Sequence, residues 1–434
     1  MPDKAADAPG MPPARGAAAT LRPAVYVDRV DTLGVIAVVR SLGRAGYAVH
    51  AATEHRHSLG LLSRYVARPA LHPPMDSPAF LDWFRYYIAA HGIVAVVPSE
   101  QLALRLTEDS DEFFHLIPFA TSPSRLRRAF GKYDLFAASL EQGLVEHLPA
   151  LRLIDFDRQE ERMRGTLRFP AFIKADAVHA RQSGLSGEVV RVRNPAELEA
   201  ALGRLAARFA RVLVQGYVPG IGVGASFLLW DGVPCAEFLH RRLHEVPYTG
   251  GISSWREEFR HAAIRADALA RIQALGWERG PVMVEYRLDE RTGDFWLMEA
   301  NARFWGSLHL PYYAGVDFPA ILLRRFLLAR GMAVPEPVGA APLPRRRVSC
   351  RHLPAEAQHC WGKLKSPELP LRAKLAAVGR FFALMADPRV RSDLGSFPGD
   401  RHLLLVALYR FGRSMLRGLL RRVRRRPQRL VTDE

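Results

Sequence analysis

Residues 281–307, PVMVEYRLDERTGDFWLMEANARFWGS, decide the predicted fold of this chain. Two runs rich in apolar residues, 282–288 and 295–300, stand on either side of the segment DERTGD at 289–294. Asp, Thr and Gly favour turns, and apolar runs of this length are typical of strands. The stretch therefore predicts a β-hairpin.

Two acidic side chains are predicted to face each other across this hairpin. If the turn centres near Thr292, Glu285 lies directly opposite Glu299, and strand alternation places Asn301 on the same face. Opposed like charges repel, so the arrangement favours a cation between them, and an all-oxygen ligand set suits Mg²⁺ or Mn²⁺ with nucleotide phosphates completing the shell. Arg303 follows where it would neutralise a transferred phosphate. The alternative is an ordinary amphipathic hairpin with solvated charges.

These residues also resemble a known signature. The pattern E-(x)13-E-x-N-x-R, formed by Glu285, Glu299, Asn301 and Arg303, resembles the metal-binding signature of the ATP-grasp superfamily. The continuation at 304–323, FWGSLHLPYYAGVDFPAILL, resembles a bacterial branch described as carboxylate–amine ligases. The resemblance implies that the two acids and the amide bind the metal and that Arg303 is catalytic.

Composition sets the outer limits of the interpretation. A chain of 434 residues predicts two or three domains, and three cysteines indicate a reducing compartment. Residues 1–22 are rich in Ala, Pro and Gly, which predicts a disordered tail rather than a signal peptide. No run approaches the roughly 18 apolar residues that span a bilayer, so we expect a cytoplasmic protein. The spacing of Cys350, His352, His359 and Cys360 matches no standard zinc site.

The first part of the chain predicts a parallel α/β unit. Residues 24–53 have a strand–helix–strand pattern, and the turn after the first strand lacks the G-x-G-x-x-G of a dinucleotide site. NAD binding is therefore not favoured. The resemblance implies that this N-terminal domain lies on the acceptor-substrate side of the enzyme.

Two lysines and a glycine-containing loop are candidates for phosphate binding. Lys174 lies in the predicted strand FPAFIKA, and loop N–H groups can surround phosphates while the ammonium supplies charge. The resemblance implies phosphate binding by Lys132 and by Lys174, and it makes Lys174 a catalytic candidate as well. The alternative at Lys132 is a solvated lysine at a helix start. The loop residues assigned to ATP by the resemblance are Ser183, Gly184, Ser186 and Gly187.

The resemblance also assigns the adenine and arginine positions. In VLVQGYVPG at 212–220 it implies adenine binding by Gln215, Tyr217 and Val218, mainly through main-chain atoms. Many relatives carry a ribose-binding acid after this hinge, whereas this chain has PGIGVG at 219–224. The motif H-R-R at 240–242, followed by T-G-G at 249–251, implies that Arg241 grips a carboxylate or phosphate; an exposed basic strand is the alternative.

The C-terminal part carries much of the net charge of +17, since residues 401–434 hold ten arginines against two acids. Residues 402–423 predict an amphipathic helix with arginines away from its apolar face. Such a helix either packs on its own domain or contacts an anionic membrane surface, here through residues 402–426. Few aromatic residues interleave the basic ones, so no nucleic acid partner is expected.

Together these inferences predict an α/β (α+β ATP-grasp) protein. Its predicted parts are a tail (1–22), a parallel α/β domain (23–122), a lid subdomain (123–220), a metal-bearing antiparallel sheet (221–330), and a linker with a basic helical extension (331–434). The resemblance implies ATP and Mg²⁺ (or Mn²⁺) as cofactors, and small-molecule carboxylate and amine substrates joined through an acyl phosphate. A small-molecule kinase and a non-catalytic ATP-binding protein remain as alternatives.

Overall fold

The computed structural model describes residues 22–108, 110–182, 184–248, 251–336 and 347–424. These ranges contain three β-sheets, each with helices packed against it. The strands are β1 (Ala24–Val27), β2 (Ala48–Thr53), β3 (Val66–Leu71), β4 (Ile93–Val97), β5 (Leu151–Asp155), β6 (Glu160–Arg164), β7 (Ala171–Ala175), β8 (Glu188–Val192), β9 (Arg211–Gly216), β10 (Ile221–Trp230), β11 (Val233–Val246), β12 (Ile252–Glu258), β13 (Gly280–Leu288), β14 (Phe295–Asn301), β15 (Ser349–Arg351) and β16 (Val390–Ser392). The helices are α1 (Leu33–Arg44), α2 (Ala79–Ala90), α3 (Glu100–Leu106), α4 (Pro123–Arg128), α5 (Lys132–Glu141), α6 (Pro195–Ala206), α7 (Ala262–Leu275), α8 (His309–Tyr313), α9 (Phe318–Ala329), α10 (Leu353–Lys365), α11 (Leu371–Ala386) and α12 (His402–Arg424).

The N-terminal sheet is parallel throughout, with strand order β3-β2-β1-β4. The predicted β–α–β unit is confirmed as β1, α1 and β2, and Gly46 follows the helix with φ +94°, a conformation that glycine adopts without strain. Because the strands are parallel, the loops after β1 and β4 meet at one edge of the sheet.

The lid sheet is formed by β5 to β9 in the order β6-β5-β9-β7-β8. Helix α6 packs on this sheet, and its first turn is capped by Asn194, which accepts a hydrogen bond from the Glu197 N–H. Leu198, Ala201 and Leu205 of the helix share an apolar cluster with the strands. This cluster is separate from the larger core shared by the N-terminal domain and the central sheet, so much of the lid packs as a unit of its own.

The central sheet has seven strands in the order β14-β13-β10-β11-β12-β15-β16. The turn between β10 and β11 is formed by Asp231 and Gly232, and both residues have positive φ, as a tight two-residue turn requires. Helix α7 ends at Gly276 with φ +75°, after which the chain enters β13. The hairpin of β13 and β14 forms one edge of this sheet.

The C-terminal part contributes more than the helices expected there. Strand β15 pairs antiparallel with β12, and β16 pairs parallel with β15, so both extend the central sheet. Arg40 of α1 forms a fully buried ion pair with Asp400, at 2.8 Å between Nε and Oδ2. A second buried pair joins Arg256 of β12 to Asp393. The chain after residue 347 is thus fastened to both the N-terminal domain and the central sheet.

Candidate active site

The two acids of the hairpin face each other, as the sequence predicts. Glu285 of β13 pairs in register with Glu299 of β14, and Met283 pairs with Asn301. The predicted centre of the turn was Thr292, whereas Leu288 pairs with Phe295, which puts the observed centre half a residue earlier. A bulge at Met298 brings Glu299 back into register with Glu285. A β-bulge inserts one residue and redirects the side chains beyond it, which here places Glu299 opposite Glu285.

Glycines in the neighbouring strand leave space above these acids. Gly222 and Gly224 of β10 face β13 and lie beside Arg242 and His240 of β11. A Cβ atom at Gly224 would lie 2.4 Å from His240 Cε1, and one at Gly222 would lie 2.6 Å from Arg242 Cδ. The segment in which the sequence analysis noted the absence of an acid therefore serves to admit two large side chains onto this face.

Arg242 contacts Glu285, one of the two opposed acids, and Arg241 contacts neither. Arg242 Nη2 donates to Glu285 Oε2, and Arg242 Nη1 lies 3.3 Å from Glu245 Oε1. Arg241 instead pairs with Glu257 at 2.7 Å and Glu290 at 2.8 Å. Adjacent residues of a strand point to opposite faces, so only one of the two arginines reaches this site. Arg241 thus pairs with two acids outside this face, whereas Arg242 lies beside Glu285.

Asn301 lies between the two acids. Its Nδ2 donates to Glu285 Oε1 at 3.3 Å and to Glu299 Oε1 at 3.2 Å, while its Oδ1 accepts from Arg303 at 3.2 Å. In this orientation the amide nitrogen faces the acids. Rotating the amide by half a turn would present its oxygen to the acids instead. Arg303 also lies 3.6 Å from Glu100 Oε2.

Lys132 lies beside Glu299 at the first residue of α5. Its Nζ donates to Asp176 Oδ1 at 2.9 Å and lies 3.7 Å from Glu299 Oε2, and its backbone N–H donates to Asp176 Oδ2. Asp176, which follows β7, was missed by the sequence analysis. The available signal was its position two residues after Lys174, because both residues lie at the same end of strand β7.

The bulged strand accepts hydrogen bonds from two lid residues. Lys174 Nζ donates to Met298 O at 3.1 Å, and Gln215 Nε2 donates to Leu297 O at 3.1 Å. Gln215 is buried, so its side chain is occupied by this contact inside the protein. Lys174 and Gln215 therefore fasten the lid sheet to the strand that carries Glu299.

The charges around Glu299 favour its ionised form. Burial alone disfavours the charge, but Lys132 and Lys174 outweigh it and lower the pKa of Glu299 to about 2. For Glu285, burial outweighs the attraction of Arg242 and raises the pKa. Burial lowers the pKa of Lys174, whereas Asp176 and Glu299 raise that of Lys132 despite burial. The two carboxyl groups thus have different environments.

The glycine loop opens onto a cavity of about 450 Å³. Gly184, Ser186 and Gly187 line this cavity, and Gly184 has φ +76°. Its other walls come from the ends of β1 and β4 in the N-terminal domain and from residues 303–306. Ser183 lies outside the described residues, as do Thr249 and Gly250 of the T-G-G motif. The phosphate loop and the N-terminal domain therefore share one cavity.

The hinge residues are arranged less favourably for a base than predicted. The Tyr217 N–H donates to Pro170 O at 3.2 Å, and its side chain is exposed. Val218 is buried. The Tyr217 N–H is therefore already paired within the protein.

Glu100 is a further site residue that the sequence analysis missed. It begins α3 after the capping residue Ser99, lines the cavity, and lies near Arg303. Burial raises the pKa of Glu100. Nothing in the local sequence indicated that Glu100 would lie near Arg303, because the contact joins two distant parts of the chain. Within the described ranges, no group of three or more His, Cys, Asp or Glu side chains is placed to hold a metal ion.

Comparisons with known proteins agree on the fold. No protein-family model matches the sequence, and no curated protein matches it. Among solved structures, an L-amino acid ligase from Bacillus licheniformis is similar over 70% of this chain and 74% of its own, at 16% identity and a TM-score of 0.52. The ADP complex of N5-carboxyaminoimidazole ribonucleotide synthetase is similar over 84% and 97%, at 13% identity and 0.53. Biotin carboxylase of Campylobacter jejuni is similar over 76% and 75%, at 13% and 0.53.

Proposed function

We propose that this chain, which has the ATP-grasp fold, is an ATP-dependent ligase that joins a carboxylate to an amine through an acyl phosphate. One observation carries the proposal: Glu285 and Glu299 meet on one face with Asn301 between them, and Lys132 and Lys174 lie beside Glu299. Opposed acids with adjacent cations suit a metal-bound polyphosphate. The solved structures similar to this chain include ligases and an ADP complex.

The donor set fits a hard divalent ion. Glu285, Glu299 and, with its amide turned about, Asn301 would hold Mg²⁺ or Mn²⁺ through oxygen atoms, together with phosphate oxygens. When bound, the ion offsets charge on the transferred phosphoryl group. Arg242, which now donates to Glu285, would then be free to contact a phosphate oxygen.

The remaining residues bind and orient the reactants. Lys132, Lys174 and the loop with Gly184 and Gly187 would hold the ATP phosphates. A substrate carboxylate oxygen attacks the γ-phosphorus and ADP leaves, giving an acyl phosphate. An amine then attacks the acyl carbon and phosphate leaves, giving an amide. Arg303 would stabilise the transferred group, so positioning and electrostatics supply the catalysis.

The cavity is proposed as the acceptor site. It lies between the phosphate loop, Arg303 and the carboxyl ends of β1 and β4, which is where open parallel sheets bind ligands. Glu100 on its wall would accept from the amine, and Arg303 would pair with the carboxylate. Closure of the separately packed lid over this cavity would keep water from the acyl phosphate.

The test is ADP release by the purified full-length chain, with Mg-ATP and pooled carboxylates and amines. Amine-dependent release of ADP and free phosphate is the expected result. Phosphate retained on an acceptor would identify a kinase instead. ATP binding without turnover for any pool would leave a binding protein, and either outcome would overturn the ligase.

A second proposal concerns the basic helix α12. Its exposed side chains include the apolar Leu405, Tyr409 and Leu416 and the basic Arg410 and Arg413. An exposed apolar stripe beside arginines complements an anionic lipid surface. In the described part of the chain no helix is long and apolar enough to cross a membrane. We propose a cytoplasmic enzyme that contacts anionic membranes through this helix.

Vesicle sedimentation tests this contact. The full chain is expected to sediment with phosphatidylserine-containing vesicles and not with neutral phosphatidylcholine vesicles. Leu405→Ser with Leu416→Ser should abolish sedimentation. Equal sedimentation of the double variant, or equal binding to neutral vesicles, would overturn the proposal.

A further inference from the structure

A second cavity, of about 440 Å³, lies away from the ATP site, between helices α10 and α11 and strands β11 and β12. Trp255 and Phe381 supply aromatic walls, and alanines of α11 supply a smooth apolar one. Cavities of this volume that combine apolar walls with a few polar groups are typical of small-molecule sites. The ligand that such a cavity can bind depends on whether its polar groups donate or accept hydrogen bonds.

Two buried polar side chains line this cavity, and each has one atom without a hydrogen-bond partner. His359 is 5% exposed and its Nε2 is unpaired, and Glu356 is 2% exposed and its Oε1 is unpaired. Burial works against the charge of Glu356, but hydrogen bonds from His244 and Ser254 lower its pKa, which favours the ionised carboxylate. Buried polar atoms are nearly always paired in folded proteins, so open ones in a cavity favour a ligand that can pair with them.

The state of the His359 ring follows from its contacts. His359 Nδ1 lies 2.7 Å from Glu245 O, a carbonyl that can only accept, so Nδ1 carries the proton. Burial lowers the pKa of His359, which favours the neutral ring with an accepting Nε2. The ring stacks on His244 at 4.1 Å, and His244 Nδ1 donates to Glu356 Oε2 at 2.9 Å. The open atoms of His359 and Glu356 are therefore both acceptors.

The same cavity is lined by two cations. Lys363 and Arg380 contribute to its walls, and neither has an ion pair in the part of the chain that the structure describes. The acceptor atoms of Glu356 and His359 complement an ammonium group, whereas the cations Lys363 and Arg380 complement a carboxylate. Apolar and aromatic walls between them suit an apolar side chain.

We propose that this cavity binds a zwitterionic amino acid with an apolar or aromatic side chain. Its ammonium group contacts Glu356 and His359, its carboxylate contacts Lys363 and Arg380, and its side chain packs on Trp255. The cavity is distinct from the ATP site, and the proposal stands independently of the ligase function. It lies close to that site, however, because Glu245 accepts from His359 through its carbonyl and pairs with Arg242 through its carboxylate.

The test is equilibrium dialysis of the full-length chain against L-phenylalanine and two analogues that each lack one charge. 2-Phenylethylamine lacks the carboxylate, and 3-phenylpropanoate lacks the ammonium. We expect one equivalent of L-phenylalanine to bind, at least about tenfold more tightly than either analogue, which corresponds to about 1.4 kcal/mol. Absence of L-phenylalanine binding at millimolar concentration, or equal binding of either analogue, would overturn the proposal.

Variants assign the binding to this cavity. Ala377→Phe fills it from α11 and should abolish binding, whereas Ala383→Phe, exposed on the same helix and outside the cavity, should not. Binding that survives Ala377→Phe would place the ligand elsewhere and overturn the assignment. Should Ala377→Phe fail to fold, Lys363→Met gives a second test. It should weaken L-phenylalanine binding at least about tenfold and leave 2-phenylethylamine unchanged; an equal effect on both would exclude the proposed carboxylate contact.

Discussion

Arg242 donates a hydrogen bond to Glu285, the acid that faces Glu299 across the edge hairpin of the central sheet. The arginine thus lies against one of the two acids that we propose as metal ligands. Its neighbour Arg241 lies on the other face and pairs with Glu257 and Glu290. Two adjacent arginines therefore form a natural matched pair for experiment.

Arg242→Gln is expected to lower ATP turnover by about a hundredfold, because the guanidinium is the donor nearest to the proposed phosphates from this strand. Arg241→Gln removes a partly exposed pair and should change turnover by less than about threefold. Steady-state ADP release under saturating Mg-ATP measures both. Equal loss in the two variants would show that position 242 has no special part in the reaction.

Glu299→Gln should lower turnover by at least about a hundredfold while the far-ultraviolet circular dichroism stays that of the native chain. The substitution keeps the shape of the side chain but removes the charge that Lys132 and Lys174 surround. Glu290→Gln, in the exposed turn of the same hairpin, is the control and should retain activity. A fully active Glu299→Gln variant would remove this residue from the site.

Asp28 gives a prediction about pH and stability. The side chain is fully buried at the end of β1 and accepts from Ser99 N and Oγ, yet burial raises its pKa from 3.8 to about 6. The folded state therefore binds a proton more tightly than the unfolded state, so this residue's contribution to stability falls as pH rises from about 4 to about 6.

Asp28→Asn should remove that dependence. Relative to the wild type, the variant should gain about 2 kcal/mol in free energy of unfolding between pH 4.5 and pH 7.5. Urea denaturation at both pH values gives the difference. Asp82→Asn, an exposed acid in the same domain, should show no such gain. A pH-independent difference between Asp28→Asn and wild type would refute the raised pKa.

The buried pair of Arg40 and Asp400 predicts a strong dependence on the C-terminal segment. Arg40 also donates to the carbonyls of Asp393, Leu394 and Asp400. Arg40→Met leaves the buried Asp400 without its cation, which should cost about 3–5 kcal/mol of unfolding free energy. Thermal unfolding of Arg85→Gln, which breaks an exposed pair, should match the wild type. A small shift for Arg40→Met would show that the segment is not fastened there.

The parts of the site that follow from local pattern were predictable from the sequence. Strand alternation and a turn centred near Thr292 predicted Glu285 opposite Glu299, and this pairing was confirmed. The bulge at Met298 was not predictable, since no residue type marks it, yet it compensates for the misplaced turn. In the sequence, the segment with Gly222 and Gly224 was noted only because it lacks an acid. The reason for the glycines is visible only in the neighbouring strand, whose side chains lie beside them.

Contacts between distant parts of the chain explain the rest of what was missed. Choosing between Arg241 and Arg242 requires knowing which face of β11 meets β13, and the sequence alone does not tell this. Asp176 and Glu100 reach the site from other domains. Strands β15 and β16 are three residues each, too short to show a period. Strand β15 forms by pairing with an edge strand that lies about 90 residues earlier, and β16 then pairs with β15.

The pairing of β15 with β12 bears on how this protein is to be dissected for expression. The sequence suggests cutting at residue 330, after the last helix of the predicted metal domain. Such a fragment would expose the backbone donors and acceptors of β12 along a bare sheet edge, and bare edges recruit strands from other molecules. A shortened clone is therefore expected to precipitate rather than yield a minimal enzyme, whereas one extending through Leu403 keeps the edge covered.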